Sequence, residues 1–443
     1  MSAKVNCFRT LLYRIFDLKK QILKNLIILL LAPAVGFVLL LLVHLLPTNQ
    51  MKSNVISSKD SIIAEGQDEL VIDDYNATLT GNFTDCIMLQ LSIYDGGHSA
   101  LDQAMNLYRN EVGNEEEWCP GLSLVDYLNG SPTRLEVAYP RYWHGYLVFL
   151  KPLLLFTSFN SIRLINAGLQ LILLAASLIL FAKKGHSKLA FSFAASLPFM
   201  FFFSSFASLS LSICMYIMLL EMLLIALFDE KLAKDEGYMT FFLLAGCATA
   251  YFDFLTFPLV TLAFPLIAFL ALNEGGMKKT YLSILKYSFT WGIGYVFMWA
   301  SKWIIALIFT GKNTLSDAVN TISARTSSAG DGGRIAGYIK VLKSNLSPFA
   351  NRAFALLILL LGAIVLVLII KNGLKKYFDG FASRIPTALI GLIPFVWYFV
   401  AANHSYEHAA FTCRNLAVFV FAIVFALIKD VKPTDKKESG SST

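Results

Sequence analysis

Long apolar runs separated by short charged segments make up most of this chain. A bilayer crossing takes about 20 apolar residues, and two of the runs are long enough for an antiparallel pair, with turns near Ser204 and at Asp253. The runs cover residues 25–46, 164–182, 189–228, 240–272, 281–310, 353–370, 386–402 and 416–428. This pattern predicts an all-α polytopic membrane protein with a bundle of about ten transmembrane helices.

Two long polar segments interrupt the apolar pattern. Residues 47–146 follow the first run, 25–46, and residues 311–352 follow the run 281–310. The first segment ends at 139–146 in a stretch where aromatic and basic residues alternate, which is typical of a membrane interface. The bundle region, 147–429, then opens with an apolar run, 147–156, that is too short to cross and predicts an interfacial helix.

Composition and charge agree with a membrane protein. Of the 443 residues, 56% are hydrophobic and 15% are charged, outside the range of soluble domains. The net charge of +7 comes from Lys and Arg at the ends of apolar runs, so no nucleic-acid partner is predicted. The positive-inside rule places segment 1–24 and the tail 430–443 in the cytoplasm, and segments 47–146 and 311–352 outside the cell membrane.

The first polar segment contains the candidate acidic residues. Asp85 comes at the start of a short apolar run, where it can cap a helix or serve as a general base at the membrane surface. Both roles are compatible with one position. Asp95 lies in a turn-like sequence and is the second choice for the base.

Candidate cations lie near the same predicted face. Lys302 sits between Trp299 and Trp303 inside a predicted span, where an unpaired charge is costly. We interpret the group as an anion site for a donor phosphate, although each residue alone is also compatible with interfacial anchoring or snorkelling. The group comprises Lys302, Arg141, His144, Arg414 and His404.

Metal binding is an alternative for the last outer turn, where His404, Glu407 and His408 are close in sequence. The local sequence does not establish the helix that would bring the two histidines together. No CxxC pair, HExxH helix, phosphate-loop glycine pattern or GxSxG elbow is present in the chain. The sequence therefore requires no cofactor, and its chemistry rests on carboxylates and cations.

The arrangement resembles membrane glycosyltransferases of the GT-C fold, in particular small bacterial enzymes that modify envelope glycans. The resemblance rests on Thr84–Leu89 as an acidic residue opening an interfacial helix, on Tyr139–His144 with Lys151-Pro152, and on Lys183-Lys184 after the next span. The Asp-Glu pair of some members is absent, since Cys86 follows Asp85.

The resemblance implies an inverting transfer of a sugar from a polyprenyl-phosphate donor to a glycan or lipid acceptor outside the membrane. Asp85 would be the base and the cations would bind donor phosphate. Further candidates for binding the acceptor or the sugar are Tyr142, Trp143, Asp253 and His408. The alternative function is a lipid-linked sugar flippase or another transporter, in which Asp253 and Lys302 would line the substrate pathway.

Overall fold

The computed structural model describes residues 2–66, 80–114, 118–234, 236–330 and 332–430. Residues 67–79 of the predicted outer segment and 431–443 of the predicted tail lie outside this description. The chain begins with one long helix, α1 (Ser2–His44), which runs without a break across the predicted boundary at residue 24. Its apolar part, Lys19–His44, is long enough to cross a membrane.

The first polar segment folds into a layer of short elements beside the bundle. We name it the outer layer, because segment 47–146 is predicted to lie outside the membrane. Its helices are α2 (Thr48–Ile56), α3 (Lys59–Ala64), α4 (Asn82–Ile93), α5 (Ala100–Asn106) and α6 (Pro120–Leu128). It also holds strands β1 (Tyr108–Glu111) and β2 (Leu135–Ala138), which pair antiparallel with Tyr108 opposite Ala138. This two-stranded sheet departs from the all-α prediction; elsewhere the described chain is mainly helical.

The first half of the bundle follows the predicted apolar runs. It contains α7 (Leu147–Phe156), α8 (Phe159–Lys183), α9 (Ser187–Ser196), α10 (Ser204–Ala207), α11 (Leu209–Leu232), α12 (Gly237–Phe252), α13 (Val260–Leu272) and α14 (Met277–Thr310). A short 3₁₀ helix, Leu197–Met200, extends α9. The chain reverses between α9 and α11 and between α12 and α13, where turns were predicted.

The second half starts with the second polar segment, 311–352, which forms two amphipathic helices, α15 and α16. The helices are α15 (Leu315–Thr326), α16 (Gly333–Leu346), α17 (Arg352–Asn372), α18 (Leu374–Asp379), α19 (Ile385–Ile390), α20 (Ile393–Val400), α21 (Ala402–Glu407), α22 (Ala409–Thr412) and α23 (Ala417–Ile428). The predicted run 386–402 is thus divided into α19 and α20, each of which begins with a proline near its first turn.

Seven described helical segments are long and apolar enough to cross a membrane. They are Lys19–His44, Phe159–Lys183, Leu209–Leu232, Met277–Thr310, Arg352–Asn372, Phe381–Val400 and Ala409–Ile428. Three shorter apolar helices, α7, α12 and α13, accompany them. The helical character is therefore confirmed and is consistent with a multi-pass membrane protein, while the count of about ten crossings remains a prediction.

Close backbone contact joins α12 to α14 in the bundle. A Cβ atom added to Gly246 would lie 2.0 Å from the carbonyl oxygen of Trp291, and one added to Gly294 would lie 2.2 Å from that of Leu243. Only glycine permits this approach, as in helix pairs within membranes generally.

Candidate functional site

A polar cavity of about 370 Å³ lies where the outer layer meets the α12–α13 turn and helices α15, α21 and α22. Its polar side chains come from positions that are far apart in the sequence. Its polar and ionisable lining residues are Thr84, Tyr139, His144, Tyr146, Thr256, Arg325, His404, Glu407 and His408. Three of the predicted site residues, His144, His404 and His408, therefore share one cavity.

His144 is held in this cavity by its sequence neighbours. The Trp143 indole donates to the carbonyl of Met298 at 2.6 Å, and the Gly145 N–H donates to the carbonyl of Tyr251 at 2.9 Å. His144 itself has a φ of 52°, a left-handed conformation that is unusual outside glycine. The anchors on both sides enforce this conformation and direct the imidazole inward, where burial lowers its pKa to about 3.

Arg325 and His404 form a pair that fixes the tautomer of the histidine. Arg325 donates from Nη1 to Nδ1 of His404 at 3.2 Å, and Nε2 of His404 lies 3.0 Å from the carbonyl oxygen of Leu255. Because a guanidinium only donates, Nδ1 must be the acceptor and Nε2 must carry the proton. Burial, together with the Arg325 charge, lowers the pKa of His404 to about 2, so the imidazole is neutral.

Arg325 is the cation that faces this cavity without an acidic partner. Among the described residues, no carboxylate oxygen lies within 4.0 Å of its guanidinium. The guanidinium instead lies over the ring of Tyr142, 5.6 Å from its centroid. A positive charge held by a neutral histidine and an aromatic ring is suited to bind an anion.

Glu407 and His408 line the neighbouring part of the cavity. Glu407 is exposed, and its Oε1 accepts a hydrogen bond from Nδ2 of Asn403 at 2.9 Å. The ring of His408 lies 4.8 Å from that of His404. Burial and the Arg325 charge lower the pKa of His408. The cavity thus combines one accessible carboxylate, one cation and neutral imidazoles.

Asp85 lies beside the cavity, but its carboxylate points elsewhere. Oδ2 accepts from the backbone N–H of Leu209 at 2.7 Å, and Oδ1 accepts from that of Ser210 at 2.8 Å. The Ser208 hydroxyl adds a third bond, and Arg163 lies 4.0 Å away. Asp85 is fully buried, so desolvation raises its pKa, whereas Arg163 and the two backbone donors act to lower it.

Two other predicted acidic residues have local partners. Asp95 accepts bonds from the Lys52 amine at 2.5 Å and from the Tyr127 hydroxyl, on the surface of the outer layer. Asp253 is buried and accepts from the backbone N–H groups of Leu255 and Thr256, within its own turn. Neither carboxylate lines the polar cavity.

The predicted cations outside the cavity are dispersed. Lys302 is buried and donates to the carbonyl of Ala104 at 3.0 Å, near the end of α5, with its amine over the Trp143 ring. Arg141 pairs with Asp317 at 3.1 Å. The structure therefore does not bring Lys302, Arg141 and His144 together as one phosphate site.

Arg414 is also buried away from the cavity. It donates to the hydroxyl of Ser204 at 3.0 Å and to the carbonyl of Ala410. Its guanidinium lies over the rings of Phe201 and Phe257. These contacts join the last helices to the α9–α11 turn.

A second cavity, of about 390 Å³, adjoins the polar one and is almost wholly apolar. Met88 and Tyr146 line both cavities and separate them. Its other walls come from α7, α8 and α11, including Phe149, Leu153 and Leu169. Several of these apolar side chains, including Phe149 and Leu169, are exposed at the surface of the structure. A polar cavity and an apolar cavity therefore meet at one boundary.

Arg325 lies in the second polar segment and was not among the site residues predicted from the sequence. Its only sequence signal is a basic residue at the end of an amphipathic helix, shared by many surface residues.

Within the described chain, no three His, Cys, Asp or Glu side chains form a group that could hold a metal ion, so His404, Glu407 and His408 do not form a ligand set. No family model, curated protein or solved structure matches this chain.

Proposed function

We propose that this protein is a membrane glycosyltransferase that uses a polyprenyl-phosphate-linked sugar as donor. The observation that carries the proposal is the contact between the polar cavity and the apolar cavity across Met88 and Tyr146. A lipid-linked sugar has a hydrocarbon chain, an anionic phosphate and a polar ring in that order. The apolar cavity suits the chain, and the Arg325 side of the polar cavity suits the phosphate.

The proposed reaction is an inverting transfer. An acceptor hydroxyl oxygen attacks the anomeric carbon, the bond from that carbon to the phosphate oxygen breaks, and polyprenyl phosphate leaves. A carboxylate takes the hydroxyl proton. Arg325 stabilises the negative charge that develops on the leaving phosphate, a contribution that is often large in catalysis. No step requires a bound cofactor.

Two carboxylates are candidates for the base. Glu407 lines the cavity and retains free acceptor capacity, since its described bond involves only Oε1. Asp85, the choice from sequence, would have to exchange its bonds to Leu209 and Ser210 for the acceptor hydroxyl. We favour Glu407 on access, and Asp85 stays the alternative because its sequence neighbour Thr84 lines the cavity.

The remaining predicted residues have supporting roles in this proposal. Tyr142 holds Arg325 over its ring, and Trp143 anchors the segment that carries His144. His408 is suited to hydrogen-bond the sugar or the acceptor. Lys302 and Arg141 would act on the donor only through the elements that they hold in place.

Reconstitution tests the proposal directly. The purified chain in liposomes is supplied with a labelled polyprenyl-phosphate sugar and with envelope glycan or lipid acceptors, and polyprenyl phosphate release is measured with product formation. We expect both in equal amounts. Movement of the labelled donor across the bilayer without any product would instead indicate the flippase. Absence of both with every donor would refute the proposal. Mass spectrometry of envelope glycans with and without the gene would then identify the sugar.

A further inference from the structure

A second polar cavity lies at the opposite ends of the helices, far from the candidate site. It is large, about 1280 Å³, and is bounded by the start of the α1 span, the α11–α12 connection, the end of α13 and the start of α14. By the positive-inside rule this is the cytoplasmic face. Its lining includes five lysines, Lys20, Lys24, Lys278, Lys279 and Lys286, and one acidic residue, Glu236.

The described residues supply few carboxylates to the lysines of this cavity. Lys286 pairs with Glu236, which leaves the other four lysines without a carboxylate oxygen within 4.0 Å among the described residues. Two of them, Lys20 and Lys24, stand four residues apart on one side of α1, and the other two belong to the first turn of α14. The cavity is thus positive on two facing walls.

Buried contacts hold the α1 wall in position. Gln21, between the α1 lysines, is buried and donates to the Thr240 hydroxyl at 2.5 Å and to the carbonyl of Glu236 at 3.3 Å. On the other wall, Gly276 is the N-cap of α14, and no side chain caps this helix end. The first backbone N–H groups of α14 therefore add partial positive charge. The α1 lysines are therefore fixed beside the connection between α11 and α12.

We propose that this cavity binds the phosphate headgroup of an anionic phospholipid from the cytoplasmic leaflet. Free phosphate is also anionic, but the cavity has apolar lining residues, Leu232, Phe269, Leu270 and Leu282, beside its lysines. The lysines lie at the ends of two candidate membrane spans, at the level where lipid headgroups lie. An anionic lipid can contact both the lysines and the apolar side chains of the cavity, whereas a soluble anion can contact only the lysines.

Lipid retention by the full chain tests this site without any use of transfer activity. The protein is equilibrated with equal amounts of phosphatidylglycerol and phosphatidylcholine in detergent, and the retained lipid is measured by native mass spectrometry. We expect selective retention of phosphatidylglycerol and a loss of about tenfold or more in its apparent affinity in the double variant Lys278→Gln/Lys279→Gln. The matched control, Lys371→Gln/Lys375→Gln, removes two exposed lysines outside the cavity on the same predicted face.

Three outcomes would overturn the proposal. Equal losses in the two double variants would mean general attraction to basic residues. Equal retention of the two lipids by the unmodified chain would mean no headgroup site. A rise in the thermal midpoint with inorganic phosphate as large as that with phosphatidylglycerol would identify a free-phosphate site.

If Lys278→Gln/Lys279→Gln does not fold, a second variant, Lys20→Gln/Lys24→Gln, removes charge from the α1 wall. Unchanged affinity for phosphatidylglycerol in this variant would also overturn the proposal.

Discussion

The carboxylate of Asp85 accepts a hydrogen bond from the backbone N–H of Leu209, 124 positions later, at 2.7 Å. The Ser210 N–H donates to the other oxygen, so one side chain of α4 caps the N-terminus of α11. The start of α4 and the start of α11 approach each other closely: a Cβ atom added to Gly81 would lie 2.5 Å from the Ser208 hydroxyl oxygen. The outer layer is thereby attached to the centre of the bundle.

Asp85→Asn should weaken this attachment. Asn keeps one acceptor oxygen, so one helix N–H loses its partner and the favourable charge at the helix end is lost. We expect the free energy of unfolding to fall by about 1–3 kcal/mol, measured by denaturant unfolding in detergent. Ser208→Ala is the control, because it weakens the same helix end and leaves the carboxylate intact. An unchanged stability of Asp85→Asn would contradict the capping role.

Arg325→Gln should reduce the apparent affinity for the lipid-linked donor. The loss of a charge-assisted bond to phosphate corresponds to about 1.5–3 kcal/mol, or roughly 10- to 150-fold. Lys343→Gln, an exposed position in the same outer segment, is the charge-matched control. Lys302→Met gives a direct comparison with the prediction from sequence. If Lys302→Met lowered donor affinity and Arg325→Gln did not, the phosphate would belong to Lys302.

The bundle was more predictable than the site for a physical reason. Apolar runs and their turns are local patterns. The turn predicted near Ser204 lies between α9 and α11, and the turn predicted at Asp253 lies between α12 and α13. Contacts at the site join distant positions: Arg325 and His404 are 79 residues apart. No periodicity encodes which of several surface cations will meet a given histidine.

The direction of a side chain inside an element was equally beyond the sequence. Lys302 and its two tryptophan neighbours predicted an anion site, but α14 turns the amine toward the last turn of α5, where it caps a carbonyl. Similarly, Asp85 was predicted to cap its own helix, but α4 begins at Asn82 with Gly81 as its N-cap. Asp85 lies in the first turn of α4, and its oxygens cap another helix. In both cases the residue was identified and its partner was not.

Stability should depend on pH through the buried histidines. The pKa of His404 is lowered to about 2 and that of His144 to about 3, from an ordinary value of 6.5. Below pH 6.5 the unfolded chain therefore binds protons that the folded chain does not, so the free energy of unfolding falls as pH decreases from 6.5 toward 3. Each histidine contributes a slope of up to about 1.4 kcal/mol per pH unit.

His404→Asn should flatten this dependence. Asn stays neutral at every pH and can still accept from Arg325 through its carbonyl oxygen. Unfolding in detergent at pH 5, 6 and 7 measures the slope. We expect the variant to lose about one proton's share of the slope measured for the unmodified chain. A slope equal to that of the unmodified chain would mean that His404 is protonated in the folded state.

Labelling tests the predicted sides of the membrane. The two outer segments contact each other through the Arg141–Asp317 pair, which is consistent with one shared face. Asp60 is exposed in the outer layer, and Glu230 is exposed at the opposite end of α11. An impermeant maleimide on intact cells should modify Asp60→Cys and reach Glu230→Cys only after permeabilisation. The reverse pattern would place the candidate site in the cytoplasm and remove the argument for a lipid-linked donor.

Glu407→Gln decides between the two candidate bases. Gln retains the bond from Asn403 but cannot take a proton, so we expect turnover to fall by at least about a hundredfold. Because Glu407 is exposed, the free energy of unfolding should change by no more than about 0.5 kcal/mol. Glu230→Gln, an exposed carboxylate on the opposite face, is the matched control. Full turnover in Glu407→Gln, with a folded but inactive Asp85→Asn, would assign the base to Asp85 and require its carboxylate to leave the end of α11 during the reaction.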